Sequence, residues 1–467
     1  ASHGHDGAGG VAECACGRHD RRRSDRRMTT KPSSVVTFPE PRPVWRVAVE
    51  SLRSEQRSHS RILSGSLVML LGYGMVSILN FGYNVVVARL LGPAAFGNAA
   101  AMVTLLMLFS AITLAYQLVC AKFVAKNADP ESRSAVYSWL LRRAWVVGAG
   151  LGLAVAASSG FVQDYLRLPS PWLLVLLGAG AAFYVPLGVR RGGMQGTCAF
   201  GRLTANFMIE ALVRFLGAVA LIEAGLGVTG AVAAISASVV LAYFFPLTQP
   251  ELKAKVRATM PASFREGMQA IVFFVGQVII NNIDILLVKH FFAPEPAGVY
   301  AAIALVGRIL YFASWSVVSA MFPISASATP KEENPSVLIV PLLFVLSMAV
   351  VFIFALAYFP DIVLQGIFGD LFQKTGHSVT SLMGLYAAAT GTYALSVVLM
   401  AYEMSRRVAN TGWLQLLFSG LVAVGISVFH ATLRQVVVVQ LVLMVFLLMA
   451  VSLPFFTSRE SHVQEAA

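Results

Sequence analysis

The sequence predicts an all-α polytopic membrane protein, with twelve transmembrane helices in two six-helix lobes related by a parallel internal repeat. Three observations carry this. Hydrophobic residues make up 57% of the 467-residue chain and charged residues only 12%, against roughly half and a quarter in soluble domains, so lipid must cover the excess. One stretch of about twenty residues recurs in each half of the chain. Lysine and arginine concentrate in every second interval between apolar runs.

Residues 1–61 precede the first apolar run. ASHGHDGAGGVAECACGRHDRRRSDRR is polar and poor in large apolar side chains, which predicts a disordered, basic cytoplasmic tail. It lacks an initiating Met, and Met28 is a candidate start. Cys14 and Cys16 stand one residue apart, without the spacing of a zinc module, so no metal site is predicted. Within 44–53, Trp45, Val49 and Leu52 share a helical face opposite charges, a pattern that fits an interfacial helix or a linker.

Crossing ~30 Å of hydrocarbon takes about 20 helical residues. Runs of that kind lie near 62–88, 97–120, 144–161, 172–189, 203–225, 228–247, 268–290, 298–322, 337–358, 379–402, 411–430 and 434–456. The first six form an N-lobe at 62–247 and the last six a C-lobe at 268–456, joined by a basic cytoplasmic segment at 248–267 and followed by a cytoplasmic tail at 457–467.

Orientation follows from the basic residues. With the chain starting inside, the cytoplasmic intervals hold Lys122, Lys126, Arg133, Arg142, Arg143, Arg190, Arg191, Arg202, Lys253, Lys255, Arg257, Arg265, Lys331, Arg406 and Arg407, while the outer ones hold Arg89, Arg167, Lys289, Lys374 and Arg434. Both termini are thereby predicted in the cytoplasm. The formal net charge of +12 is an orientation signal rather than a nucleic-acid footprint.

The repeat is NFGYNVVVARLLGPAAFGNAAA at 80–101 and NNIDILLVKHFFAPEPAGVYAA at 281–302. Without a gap they share Asn80/Asn281, Val87/Val288, Pro93/Pro294, Gly97/Gly298, Ala100/Ala301 and Ala101/Ala302. The offset spans six runs, an even number, so both copies enter the membrane from one side and are related by an axis along its normal. A pathway between two such lobes is the arrangement of many transporters.

Polar groups in hydrocarbon are costly and usually face a bundle interior or a wet cavity. In the first run Tyr73, Ser77, Asn80 and Asn84 form one stripe at helical spacing, and in the seventh Gln277, Asn281 and Asp284 form another. Matching stripes suit a shared central cavity; the competing reading is that the amides bridge neighbouring helices. Glu210 and Arg214 are one turn apart and can neutralise each other. Arg308 has no partner in its own run and needs either a carboxylate from another helix, Asp284 being the obvious one, or an anionic ligand. A proton on Asp284 would release Arg308, which would couple proton movement to anion binding.

The loops have mainly structural readings. Gly92-Pro93 and Pro294 with Pro296 are turn formers at outer hairpins. Gly97 and Gly298 allow close helix approach. Arg89 and Lys289, at the outer ends, could attract a leaving anionic group, though snorkelling to headgroups is the commoner role of such residues. Arg142, Arg143, Arg190 and Arg191 are placed at the cytoplasmic mouth, where they could gather an anionic lipid.

The segment LLGPAAFGNAAA after an Asn-bearing run, then NNIDILLVKHFFAPEPAGVYAAIALVGRILYF and MFPISA, resembles the polysaccharide-exporter branch of the multidrug/oligosaccharidyl-lipid/polysaccharide (MOP) superfamily. Members flip lipid-linked oligosaccharides in O-antigen and exopolysaccharide synthesis. The resemblance covers 62–456 and is strongest over 80–101 and 281–323. It implies a MATE-like fold with the two lobes in a V, alternating access without ATP hydrolysis, no cofactor, and residence in the bacterial inner membrane. It also implies a cationic cavity for pyrophosphate and sugar, with the polyprenyl tail left in lipid. Positions matching the family pattern are Asp284, Gly298, Tyr300, Arg308 and Pro323.

The partners so implied are a polyprenyl-pyrophosphate-linked oligosaccharide, coupling protons or sodium ions, membrane lipids, and the polysaccharide polymerase and export machinery, with no nucleic acid. Candidate substrate-binding residues are Arg308, Arg214, Asn80, Asn84, Gln277 and Asn281; candidate ion-coupling residues are Asp284 and Glu210; none is catalytic or metal-binding.

Three rivals stand beside this reading. Multidrug exporters of the same fold typically resemble one another in an acidic first run, and here that run has no carboxylate. Peptidoglycan-precursor flippases usually have fourteen runs. A membrane glycosyltransferase or polymerase would carry catalytic groups on a sizeable outer loop, whereas 359–378 holds only Asp361, Asp370, Lys374 and His377, and no Walker A sequence, paired-carboxylate motif or nucleophile elbow stands out.

Overall fold

The computed structural model describes residues 44–127, 129–245, 265–327, 336–369, 372, 382–406 and 411–465, with side chains over most of 71–453. Residues 1–43 of the tail predicted at 1–61 and nearly all of the 248–267 connection lie outside the described residues. Every regular element among the described residues is helical.

We number the helices α1 (Val44–Lys126), α2 (Pro130–Ala157), α3 (Ser159–Leu166), α4 (Trp172–Gly196), α5 (Phe200–Leu221), α6 (Gly227–Phe244), α7 (Arg265–Ile280), α8 (Ile283–Phe291), α9 (Pro294–Ser327), α10 (Ser336–Tyr358), α11 (Pro360–Phe368), α12 (Leu382–Arg406), α13 (Thr411–Val428) and α14 (Leu433–Glu465). Among the described residues nine helices are long and apolar enough to cross a membrane, and Gly412–Val428 is a shorter apolar one. This is a multi-pass membrane protein.

Two of the nine are too long for one crossing. Leu71–Lys126 breaks at Gly92, whose φ of 76° and ψ of 175° no helix accommodates, with Pro93 opening the next segment. This is the predicted first hairpin. Phe200–Phe244 breaks at the π turn Ile222–Leu226, where Gly225 has φ 87°. Split at these breaks, the two runs cover the first, second, fifth and sixth predicted crossings.

Several expectations change. Val44–Arg53 is not a separate interfacial helix but the start of α1, continuous with the first run. The third run begins earlier than predicted, at Pro130, because the Asp129 side chain accepts from the Ser132 backbone N–H at 2.9 Å and starts α2 there. That places Arg142 and Arg143 inside a helix, exposed, with Arg143 4.1 Å above the Trp139 ring. The 359–378 interval contains a short helix, α11.

The seventh run, predicted continuous, is two helices meeting at Asn281-Asn282. Both amides turn back onto their own helix, Asn281 Nδ2 to the Gln277 carbonyl at 2.8 Å and Asn282 Nδ2 to the Val278 carbonyl at 2.7 Å. Such bonds compete with the backbone ladder. Asn282 leaves helical geometry at φ −132° and ψ −24°, and Asp284 falls in the first turn of α8.

Packing divides the helices into two groups. α1, α2, α4, α5 and α6 pack on one another, and α7 to α10 pack with α12, α13 and α14. The main contacts between groups run from α1 to α7, α8, α9 and α11, and from α3 to α8. α4 lies flat against α1 because Gly188, Gly192 and Gly196 present no side chain: a Cβ on Gly192 would stand 2.4 Å from the Gln117 carbonyl.

The repeat segments meet at one end of this contact. A Cβ on Gly97 would lie 3.1 Å from the Gly298 backbone, and one on Gly298 only 1.8 Å from the Pro93 carbonyl oxygen. Phe96 packs there against Phe368 and Phe372, with ring centroids 6.3 and 6.1 Å away. Arg89 donates from Nε to the Ile367 carbonyl at 2.7 Å and from Nη2 to the Gly366 carbonyl at 2.5 Å, capping the α11 C-terminus instead of reaching for headgroups. His290 stacks on Tyr165 with centroids 3.8 Å apart. Lys289 is buried and so does not snorkel either.

Candidate functional site

Two buried charged clusters lie among the described residues, one in each group of helices. The first is built on α1, α4 and α5. Glu210 accepts from Arg191 Nη2 at 2.6 Å through Oε2 and from Arg214 Nη2 through Oε1. Arg191 Nε donates to Asn206 Oδ1 at 2.8 Å, and Asn206 Nδ2 donates to the Ala242 carbonyl at 2.8 Å, which ties the cluster to α6. Arg214 Nη1 donates to Asn80 Oδ1 at 3.0 Å. The Arg191 guanidinium also lies 3.9 Å from the Phe207 ring centroid.

Arg191, Glu210 and Arg214 are all buried. Two guanidinium charges against one carboxylate leave this cluster with a buried excess of positive charge. Among the described residues the Arg214 Nε–H has no partner.

Arg190 and Arg191, assigned from the sequence to the cytoplasmic mouth, are both buried. The glycine face of α4 holds it on α1 through Gly196, so both arginines stay inside the bundle, and Arg191, on the adjoining face, meets α5. Arg190 Nη2 donates to the Phe245 carbonyl at 3.0 Å, just past the end of α6. Arg191 is the site residue that sequence reasoning missed. Its available signal was the pair Glu210/Arg214, a carboxylate able to accept a second guanidinium.

The second cluster centres on Asp284. Its Oδ1 accepts from Arg308 Nη2 at 3.2 Å, and its Oδ2 accepts from the Tyr300 hydroxyl at 3.0 Å and the Tyr386 hydroxyl at 2.9 Å. Gln440 Nε2 donates in turn to the Tyr300 oxygen at 2.8 Å. Arg308 Nη1 reaches Asn282 Oδ1 at 3.3 Å, so the break in the seventh run also receives the arginine. Asp284 is the partner that the sequence offered Arg308. Four helices, α8, α9, α12 and α14, converge on this carboxylate, and the Arg308 Nε–H is unpartnered.

The amide stripes divide between the two readings. Asn80 bridges α1 to α5 through Arg214, whereas Asn84 Nδ2 donates to the Asn80 carbonyl at 2.8 Å on its own helix. Ser77 also bonds its own helix, at the Tyr73 carbonyl 2.8 Å away. Gln277 Nε2 donates to the Tyr311 hydroxyl, which also accepts from Trp315 Nε1 at 2.6 Å. Asn281 is half-buried and bonds Gln277, while Gln277 Oε1 is buried without a donor. The structure thus joins Asn80, Arg214 and Glu210 in one cluster and Arg308 and Asp284 in the other. No hydrogen bond or ion pair among the described residues connects the two.

The charge balance differs between the clusters. The Asp284–Arg308 pair is neutral and saturated with donors, so its geometry is locked. The Arg191–Glu210–Arg214 cluster is cationic and lacks a second anion. An anionic ligand with several acceptor oxygens matches that deficit.

A family model described as polysaccharide biosynthesis protein matches residues 62–329. Among solved structures, the chain is similar to the inward-facing conformation of a multidrug resistance MATE family transporter of the MOP superfamily, with TM-score 0.62 and 16% identity over 84% of this chain and 99% of that one. It is similar to the outward-facing conformation of such a transporter, with TM-score 0.54 and 17% identity over 87% and 97% of the two chains. A crystal structure of MATE in complex with MaL6 gives TM-score 0.55 and 16% identity over 87% and 97%. At these identities the likeness is one of fold. No curated protein matches the sequence.

Proposed function

The chain belongs to the polysaccharide biosynthesis protein family and has the MATE-like fold of MOP transporters, and on that premise we propose that it flips a polyprenyl-pyrophosphate-linked oligosaccharide from the inner to the outer leaflet of the bacterial inner membrane. The observation that carries the reading is the buried cationic excess of the Arg191–Glu210–Arg214 cluster. A pyrophosphate supplies the missing negative charge and acceptors for unused guanidinium donors, and such a headgroup cannot cross hydrocarbon unaided.

In this mechanism two lobes, 62–247 and 268–456, rock about their contact, with both termini in the cytoplasm. The Gly97/Gly298 end, outermost under the positive-inside rule, is closed by close backbone packing and by Arg89 on α11. The headgroup enters from the inner leaflet. Its phosphates meet Arg214 and Arg308, while Asn80, Asn84, Gln277 and Asn281 offer hydrogen bonds to sugar hydroxyls. The polyprenyl tail stays in lipid, and the product is handed to polymerase and export machinery.

Asp284 and Glu210 act as coupling carboxylates by holding these arginines. A proton or sodium ion on either weakens its hold and frees a guanidinium for phosphate. No chemical bond changes in this cycle, so the protein is a transporter and not an enzyme.

The test is translocation of a fluorescent polyprenyl-pyrophosphate oligosaccharide in proteoliposomes. Saturable flipping by wild type, lost in Arg308→Ala, with Asp284→Asn losing its response to a pH gradient, supports the proposal. Wild-type protein that leaves this lipid unmoved yet exports small organic cations overturns it.

A further inference from the structure

Three carboxylates are buried among the described residues: Glu210, Asp284 and Glu403. The first two spend their oxygens on arginine and tyrosine donors. Glu403, on α12, is 1% exposed, and among the described residues neither Oε1 nor Oε2 has a hydrogen-bond partner. It stands near the C-terminal end of α12, roughly 25 Å along the helix axis from Tyr386, which binds Asp284.

No ion pair or hydrogen bond to Glu403 occurs among the described side chains. The described ionisable side chains on the helices packed against α12 are Glu295, Tyr300, Arg308 and Tyr311 on α9, Tyr358 at the end of α10 and Arg434 at the start of α14; Arg308 is held by Asp284 of α8, and α13 has none. On α12 itself Tyr402 adjoins it, and Arg406 is the last residue of the helix. At this level α12 meets α9 through Ser325 and Ser405, whose hydroxyls are 2.6 Å apart.

A carboxylate ion buried without donor or cation is costly, and inside a membrane span such a group marks a proton or ion path. A bound metal cation takes several ligands, and no group of three or more His, Cys, Asp or Glu exists among the described residues. A proton needs the carboxylate alone.

We infer that Glu403 is a proton-binding site of the transport cycle, additional to Asp284 and Glu210, loaded while buried and discharged when the 403 end of α12 meets water. This rests on the transporter reading above. The proton is taken up from one side and given to water on the other, as Glu403 passes between carboxylic acid and carboxylate.

The test has two arms, both on the full chain in lipid. In infrared difference spectra across a pH titration, the wild type shows a carboxylic-acid band that vanishes in Glu403→Gln and moves in Glu403→Asp. In proteoliposomes, the ratio of translocation with an acid-outside gradient to that without it collapses to unity in Glu403→Gln. A band unchanged in both variants, or full gradient stimulation in Glu403→Gln, overturns the inference. Wild-type protein that translocates nothing sinks the flippase reading instead, and the infrared band still decides Glu403. It also decides if Glu403→Gln fails to fold, through Glu403→Asp.

Discussion

Gly97 and Gly298, equivalent positions of the internal repeat, lie against each other, the missing Cβ of Gly97 falling 3.1 Å from the Gly298 backbone. The same two residues that align in sequence meet in space and close one end of the interface between the helix groups. A side chain cannot be inserted there without parting backbones.

Gly298→Ala is therefore expected to cost about 1–3 kcal/mol, as overpacked contacts do, since its Cβ would stand 1.8 Å from the Pro93 carbonyl. The check is the melting temperature in detergent, together with labelling of a cysteine at Ala94 by an impermeant maleimide, which should speed up as this end opens.

Glu210→Ala leaves two buried guanidinium groups without a carboxylate. A loss of about 3–5 kcal/mol is expected for breaking such a buried pair. Arg191→Met added to it should recover part of that loss, so the two changes are non-additive. Chemical denaturation of the single and double variants measures both.

Tyr386→Phe and Tyr300→Phe each remove one hydroxyl donor from Asp284 Oδ2. Hydrogen bonds to a charged group are worth about 1.5–3 kcal/mol, so each should lower stability by that order. Tyr300→Phe also orphans Gln440 Nε2 and should be the more damaging of the two in thermal melts.

Arg89→Ala uncaps α11. A charged cap on exposed carbonyls contributes about 0.3–1 kcal/mol, too little to change global melting visibly. Hydrogen exchange should show faster exchange confined to 360–368 and its neighbours.

Asp129 lies outside the membrane-spanning helices, and its carboxyl is held below the usual range, first by the Ser132 backbone N–H and then by the Ser132 hydroxyl. A depressed carboxylate stabilises the fold above its ordinary titration range, and that help is lost as pH falls through the lowered value. The start of α2 should therefore loosen only in acid. Asp129→Asn should abolish that pH dependence, as hydrogen exchange over 130–134 would report.

Much of the architecture could be read before any helix was placed. Gly92-Pro93 marked the break that divides Leu71–Lys126, since glycine accepts the positive φ and proline opens the following segment. The partnership of Asp284 with Arg308 was also legible, because a buried arginine needs a carboxylate and the preceding helix carries one. Arg191 was misplaced for a physical reason: the positive-inside rule counts charges without knowing which are buried, and α4 runs past both arginines before it ends. Asn281 read as one member of a polar stripe with Gln277 and Asp284, because spacing alone does not show that this amide and that of Asn282 will take the carbonyls that continue a helix. Glu403 fell just beyond a span boundary drawn by hydropathy, where an acidic residue attracts no notice.

By itself the sequence determined the membrane environment, the helical class and the repeated segment. These follow from composition and from the short-range period of the helix, which are properties of neighbours along the chain. Only the tertiary structure decided that Glu210 serves two arginines, that Asp284 gathers two tyrosines from different helices, and that Glu403 has no partner among the described residues. Helical periodicity says which residues share a face. Which face meets which neighbour depends on side-chain volumes, such as the bare glycine face that presses α4 onto α1, and those contacts join residues far apart in the chain.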